Sequence, residues 1–332
     1  MPGVLPLLDK ALASRAPLLA PPHETAFRLF NGFTEGCPDL VLDVYGKTLI
    51  VHDYAEPPNP VLIRETASHV LSSLDWLRAG IVKTRNGKTP EEKRGVLLFG
   101  ESPDRKIREH GVWYAINLTL NRDASFYLDT RNLRKWLIEN ARGKTVLNTF
   151  AYTGSLGAAA LAGGAERVIQ TDHSRTFLNL AKETYSLNGF PIHKADFLTA
   201  DFFSAVARFK AAHQLFDLVL LDPPFFSTTP KGKVDLVRES ARLINKVRPL
   251  VKDGGALVAV NNALFVSGRE YLQTLEELCK DGYLSLQELI PVSQDFVGYE
   301  TVGAPVADPS PFNHSTKIAI LGVKRKVPAP FS

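Results

Sequence analysis

Four short stretches of this 332-residue chain have the residue types and spacing to hold a nucleoside and act on a nucleobase. Asp222-Pro223-Pro224-Phe225 directly follows the apolar run FDLVLL. A Pro-Pro pair fixes the backbone and removes two donors, which leaves stiffly aimed carbonyl acceptors. With the Asp222 carboxylate, Pro223 and its neighbour can hold a base edge while Phe225 or Phe226 stacks on its face. Asp172, in VIQTDHS, has the acidic character that accepts hydrogen bonds from both hydroxyls of a ribose at a strand end. It could equally cap the helix that begins near Ser174. Asp196, in HKADFL, can take an adenine amino group with Phe197 beside the ring, or can serve as a cap. Asn261-Asn262 follow a further apolar run and either hold a base edge or cap the next segment.

Such residues work together only if strands deliver them to one edge of a sheet. From Thr145 the chain alternates strand and helix, the pattern of a parallel α/β sheet. Strands are expected at Thr145–Phe150, Arg167–Thr171, Ile192–Ala195, Phe216–Leu221 and Ala256–Val260, with a long charged helix over Val234–Val251 that ends before Asp253-Gly254-Gly255. Leu284–Val292 and Thr316–Val323 read as an antiparallel pair at one sheet edge. Val146–Ala165, VLNTFAYTGSLGAAALAGGA, reads as strand, tight turn and helix. Glycines at such a turn let a ligand approach the backbone N–H groups of the helix start. The turn lacks the G-x-G-x-x-G spacing that cradles a pyrophosphate, so a phosphate-free nucleoside, S-adenosylmethionine, is the expected ligand.

The first part of the chain reads differently. A helix around Leu5–Ala13 and a proline-rich connector, Pro17–Pro22, make up residues 1–26. Strands at Phe27–Leu29, Leu40–Tyr45, Thr48–Tyr54, Ile81–Thr84, Val96–Phe99 and Trp113–Leu120, with a helix over Val61–Leu77, form a small α+β unit at 27–122. Residues 123–332 then hold the α/β unit. The link between them, DASFYLDTRNLRKWL, can form a helix capped by Thr130, with Leu133, Trp136 and Leu137 on one face and Arg131, Arg134 and Lys135 on another. Lys83, Arg85, Lys88, Lys93 and Arg94 form a basic stretch suited to phosphate contacts, or to a plain solvated face.

Composition narrows the classes. Hydrophobic residues make up 45% of the chain, and the net charge of +4 permits a nucleic-acid partner without requiring one. No apolar run reaches the length of a membrane-spanning helix, and the N-terminal stretch, interrupted by Asp9, argues against a signal peptide. Cys37 and Cys279 are too few for a disulfide framework or a cysteine-based metal site, so no metal is expected and a cytoplasmic location is the default. Nothing in the sequence chooses between monomer and homodimer.

FYLDTRNLRKWL (126–137), LNTFAYTGSLGAAALAGGA (147–165), TDHS (171–174), LNG (187–189), AD (195–196) and LDPPFFS (221–227) together resemble the class I S-adenosylmethionine-dependent methyltransferases. More narrowly they resemble the large-subunit ribosomal RNA family with cytosine-5 and guanine-N7 members. RLFNGFTEGCPDLVLDVYGKTLIV (28–51) is similar to that family's central α+β domain. The resemblance implies a Rossmann-like, mostly parallel sheet with an antiparallel last strand, preceded by a smaller α+β domain. It implies that Phe150, Tyr152, Thr153 and Gly154 border the methionine end of the cofactor, that Asp172 binds ribose and Asp196 adenine, and that Asp222 closes the methyl-transfer pocket. Asn148, His173 and Phe197 join these candidates, and the F-x-L-D-x-R segment adds Tyr127, Asp129 and Arg131. The PUA domain that many members carry is not expected, since the matching region begins so early in this chain.

Cytosine-5 methylation normally needs a cysteine to attack the ring, and Asn261-Asn262 stand where it would lie. The Asn-Asn pair instead resembles the position in guanine-N7 methylating relatives, where a ring nitrogen attacks with its own lone pair. The resemblance thus implies N-methylation, with guanine of ribosomal RNA favoured and Asp222, Pro223, Phe225 and Asn261 as the catalytic set. Cytosine-5 methylation by an atypical route, methylation of an amine or small molecule, and a non-catalytic RNA-binding role are the alternatives.

Overall fold

The computed structural model describes residues 3–303 and 305–325. The chain separates into two units, Met1–Arg131 with Ser293–Pro305, and Asn132–Val292 with Val306–Ser332. The sequence suggested a division after residue 122. The division falls after Arg131, and a later segment rejoins the first unit.

In the first unit, strands β1 (Ala26–Asn31), β2 (Leu40–Tyr45), β3 (Thr48–Asp53), β4 (Ala79–Thr84) and β5 (Val96–Gly100) form a sheet in sequence order. Only β3 and β4 run parallel, joined through the helix Pro60–Ser73. Proline at its first turn and the Asn59 side chain, which accepts from the Leu62 N–H, start that helix. The N-terminal helix Val4–Ser14 buries Leu8 and Ala11 in the same core as Phe27, Leu42 and Val51, so this helix is part of the first unit. A separate hairpin pairs β6 (Lys106–Glu109) with β7 (Val112–Ala115). The strand expected to reach Leu120 stops at Ala115 because Asn117 turns the chain, its N–H donating to Ser125 and its side chain accepting from Thr119.

Buried ion pairs tie the returning segment to this unit. The Arg15 guanidinium, 0% exposed, donates to both oxygens of Glu35 at 2.9 Å and to the Asp295 carbonyl. Glu35 also accepts the N–H groups of Asn31 and Tyr299. In the sheet, Asp43 faces Arg28 and His52. Burial alone would raise its carboxyl, but these partners hold it far below the ordinary range, while burial keeps His52 low.

The second unit holds a seven-stranded sheet in the order β10-β9-β8-β11-β14-β16-β15. Its members are β8 (Thr145–Asn148), β9 (Arg167–Asp172), β10 (Phe197–Thr199), β11 (Phe216–Leu221), β14 (Val251–Asn261), β15 (Leu284–Ile290) and β16 (Lys317–Val323). A small hairpin pairs β12 (Phe226–Thr229) with β13 (Gly232–Asp235). The first five sheet strands are parallel and β16 is antiparallel to both neighbours, as expected. Successive strand residues point to opposite faces. Leu147, Val219, Leu221 and Leu257 pack on one side with the helices Phe202–Ala211, Ser240–Val247 and Gly268–Cys279. Val146, Leu218, Leu220 and Val258 pack on the other with Arg131–Asn140 and Ser155–Ala162.

Several elements differ from expectation. The third strand is Phe197–Thr199, because exposed Ile192 finds no core and Lys194–Asp196 makes a single tight turn. The helix expected over Val234–Val251 begins only at Ser240, since Val234 and Asp235 belong to the hairpin. Asp253-Gly254-Gly255 does not end a helix but forms a bulge within β14, where Phe216 and Leu218 face Val251 and Ala256. Gly254 supplies the φ of 71° that the excursion requires. Arg134, expected on the polar face of its helix, is fully buried. Among the described residues no helix is long and apolar enough to cross a membrane.

Glu35→Ala would leave the Arg15 charge buried without its partner, at a cost of about 3–5 kcal/mol. Urea unfolding should show that loss, and an unchanged unfolding free energy would contradict a clamp at this position.

Candidate functional site

The turn after β8 is shaped by hydrogen bonds to the neighbouring strands on both sides. On one side, the Thr149 N–H and hydroxyl both donate to the Leu220 carbonyl at the end of β11, at 3.1 and 2.8 Å. On the other, the Ala151 N–H reaches the Thr171 carbonyl of β9 at 2.9 Å. Between these anchors the backbone turns left-handed at Tyr152 (φ 50°) and Gly154 (φ 77°), and the helix starts at Ser155.

Asp172 fixes the result. Its two carboxylate oxygens accept the Tyr152 N–H at 2.9 Å and the Ser174 N–H at 2.8 Å, so it joins the turn after β8 to the turn after β9. The His173 ring nitrogen also lies 3.4 Å from one of these oxygens. Burial raises this carboxyl above the ordinary aspartate value, opposed in part by the Ser174, Tyr152 and His173 N–H groups and by the nearby His173 ring. The cap reading and the ligand reading of Asp172 are therefore compatible, because the capping bonds orient the carboxylate.

Beneath the turn lies a buried amide relay that sequence patterning did not reveal. Asn148 Nδ2 donates to Gln170 Oε1 at 2.9 Å, and Gln170 Nε2 donates to the Gly154 carbonyl and the Tyr185 hydroxyl, each at 3.2 Å. Gly157 leaves room for it, since a Cβ there would sit 2.1 Å from Gln170 Nε2. Asn148 Oδ1 is buried with no hydrogen-bond partner. The sequence signal for it was a polar Gln170 directly after the apolar pair Val168-Ile169 of β9.

The aromatic candidates have defined neighbours. Phe150 stacks on Phe202 at 4.7 Å, Tyr152 sets its edge against Phe177 at 4.6 Å, and Phe197 packs against Tyr185 at 5.0 Å. Thr153 is buried, while the His173 side chain is 77% exposed. Asp196 is buried and bound by the Arg167 guanidinium through Nε at 2.8 Å.

On the DPPF side, the Asn262 carboxamide donates to the Pro223 carbonyl at 3.3 Å, and its oxygen is buried without a partner. Asn261 is 1% exposed and engaged at both ends. It donates to the Leu236 carbonyl and the Ser240 hydroxyl and accepts the Ala263 N–H. The geometry thus gives Asn261 a positioning role, and Asn262 is the residue that reaches the Pro-Pro loop. Lys317, paired with Asn261 across β16, donates its ammonium to the Ala263 and Ser315 carbonyls, and burial pushes its pKa down to about 8. Asp222 is half-buried and Phe225 is 44% exposed.

The remaining candidates belong to the first unit. Tyr127 is exposed and its hydroxyl donates to Asp123. Asp129 is half-buried. Arg131 donates to Glu109, Asp295 and the Ala26 carbonyl. The basic face is smaller than the sequence implied. Lys83 is buried, with its ammonium on the carbonyls of Arg94, Asn121 and Asp123, and burial pushes it down to about 8. Arg85 lies over Tyr54 and beside Asp123. Lys88, Lys93 and Arg94 are exposed. Among the described residues no group of three or more His, Cys, Asp or Glu side chains could hold a metal ion.

A family model described as S-adenosylmethionine-dependent methyltransferase matches residues 29–288. Ribosomal RNA large subunit methyltransferase K/L of Shewanella frigidimarina is 32% identical over 254 residues, which cover 74% of this chain and 34% of that protein. Ribosomal RNA large subunit methyltransferase I of Photobacterium profundum is 27% identical over 285 residues, 84% of this chain and 71% of that protein. The chain thus spans about a third of the length of the first of these relatives. The crystal structure of SMU.776 complexed with SAH shares the fold, with a TM-score of 0.82 at 23% identity over 96% of this chain and 80% of that one.

Gly157→Ala would drive a methyl group into the Gln170 amide and is expected to cost about 1–3 kcal/mol. Denaturant unfolding should show the loss, with faster hydrogen exchange at Gly154. Wild-type stability would mean that the relay does not hold the turn.

Proposed function

The chain belongs to the S-adenosylmethionine-dependent methyltransferase family, and from that premise we propose that it methylates a base nitrogen of ribosomal RNA, guanine favoured. The observation that carries this reading is the Asp172 carboxylate, held by two backbone N–H groups at the carboxyl edge of the sheet and facing the same edge as Asp222-Pro223-Pro224-Phe225. An ionised carboxylate accepts hydrogen bonds only, which fits a nucleoside that offers ribose hydroxyls. The unpartnered Asn148 oxygen and the left-handed turn at Tyr152–Gly154 fit a polar, amine-bearing tail. The names of the two ribosomal RNA methyltransferase relatives support RNA as the acceptor class.

S-adenosylmethionine supplies an electrophilic sulfonium methyl when bound. In this reading Asp172 accepts both ribose hydroxyls, and the Phe150–Gly154 turn borders the methionine end. Asp196, braced by Arg167, and Phe197 border the adenine, with His173 at the exposed rim. Asp222 and the Pro-Pro carbonyls accept hydrogen bonds from the base edge, Asn262 steadies that loop, and Phe225 covers the base face. The protein holds a ring nitrogen in line with the methyl group, which is catalysis by positioning and electrostatics. A nucleophilic cysteine is not needed for a base nitrogen. Cys279 lies at the end of the helix Gly268–Cys279 and Cys37 in the first unit, and burial pushes both thiols up, away from the reactive thiolate.

Asp172→Ala removes two charge-assisted hydrogen bonds and should weaken S-adenosylhomocysteine binding about 100-fold by calorimetry. Because the carboxyl must be ionised and burial raises its pKa, wild-type affinity should fall as pH drops, with a midpoint above the ordinary aspartate value of 3.8. Equal affinity for wild type and variant would overturn the assignment of Asp172, and no binding by the wild type would overturn the enzymatic reading.

A further inference from the structure

Two exposed phenylalanines sit on loops that the site itself laces together. Phe226, three residues beyond Pro223, is 53% exposed at the start of β12, and Phe265, three residues beyond Asn262, is 70% exposed beside exposed Leu264. Neither loop is free to drift. Asn262 holds the Pro223 carbonyl, Asn261 holds the Leu236 carbonyl at 3.2 Å, and the Leu236 N–H donates to the Phe225 carbonyl at 3.1 Å. The hairpin is seated from below, where Gly232 lies so close to the Phe203 ring that a Cβ would come within 2.6 Å. The Lys317 ammonium fixes the Ala263 carbonyl in the other loop. Both rings are therefore presented on held backbone.

Charge accompanies the rings. The Lys233 ammonium lies 5.2 Å from the centroid of Phe226 and is paired with Asp235 at 2.8 Å, and Lys231 is exposed at the hairpin turn. Exposed π-faces beside ammonium groups have the chemistry of a strand of unpaired nucleotides, whose bases stack on rings while phosphates meet cations. A duplex has its base faces already stacked and offers none to these rings. An amino-acid or amine acceptor offers no base face for these rings to stack on.

We propose that Phe226 and Phe265, with Lys231 and Lys233, form a stacking platform for the unpaired RNA nucleotides that flank the target base. The proposal rests on the reading of the site as an RNA base methyltransferase and adds a substrate form, an unpaired segment. It also gives the hairpin β12–β13 a role in substrate binding that is separate from holding the cofactor.

The test uses the full chain and fluorescence anisotropy with a labelled, mixed-sequence RNA of ~12 nucleotides, free or annealed to its complement. The platform predicts tighter binding of the free strand, and a Kd at least ~10-fold higher for the double variant Phe226→Ala with Phe265→Ala. Phe226→Leu with Phe265→Leu keeps apolar area but loses the rings, so it should show a comparable loss. Lys231→Gln with Lys233→Gln should flatten the salt dependence. Unchanged thermal unfolding would show that the exposed substitutions leave the fold intact. Unaltered RNA affinity in the alanine variant, wild-type affinity in the leucine variant, or equal binding of duplex would each overturn the platform. If the wild type binds S-adenosylhomocysteine but no RNA, the platform and the RNA acceptor fall together while the cofactor reading stands. If the wild type methylates RNA and the alanine variant binds it equally well, the platform alone falls.

Discussion

The Asp172 carboxylate accepts one N–H from each of two strand-end turns, and the geometry of the second unit's carboxyl edge depends on that pair of bonds. Without an acceptor at this point the Tyr152 N–H would lose its partner inside a left-handed turn, and the helix Ser155–Ala162 would lose its fixed starting direction. Burial makes the ionised group expensive, as the raised pKa shows. A buried carboxylate is tolerated where its charge is hydrogen-bonded, and here the same bonds fix its orientation. In the proposed function, structural cap and ligand acceptor are one side chain.

The rest of the edge is arranged in the same economical manner, with polar side chains that hold loops by binding backbone groups. Gln170 holds the Gly154 carbonyl, Asn262 the Pro223 carbonyl, Asn261 the Leu236 carbonyl and Lys317 the Ala263 carbonyl. Loops at the carboxyl edge of an α/β sheet carry ligand contacts, and such loops are mobile unless tied. Each tie joins a loop to a strand or to another loop of the same edge. The first unit uses a different device, buried ion pairs at Arg15–Glu35 and Arg28–Asp43, to hold its own sheet and the segment that returns to it.

Much of the fold was legible in the sequence because apolar runs of strand length alternate with helical periods from Thr145 onward. The antiparallel last pair followed from the lack of a helical pattern between the final strands. Elements set by a single close contact were not legible. The hairpin β12–β13 depends on Gly232 meeting Phe203, and the bulge at Asp253-Gly254-Gly255 depends on pairing with β11. Residue type also misled where a charge is buried: Lys83 reads as a phosphate contact, yet its ammonium is satisfied by three carbonyls inside the first unit. In the Asn261-Asn262 pair, adjacent identical side chains point to different partners, and only the register of β14 against β16 separates their roles. Asp172 and the DPPF loop could be singled out because each stands at the end of a strand, where the sheet's carboxyl edge presents side chains to a ligand.

The central claim is that this edge transfers a methyl group to a base nitrogen of RNA. The most direct measurement incubates the full chain with deuteromethyl-labelled S-adenosylmethionine and unmodified large-subunit ribosomal RNA, digests the RNA to nucleosides and locates the label by mass spectrometry. The account predicts label in a guanosine methylated on nitrogen. Label confined to 5-methylcytidine, or RNA that remains unlabelled by an enzyme that binds the cofactor, would contradict it.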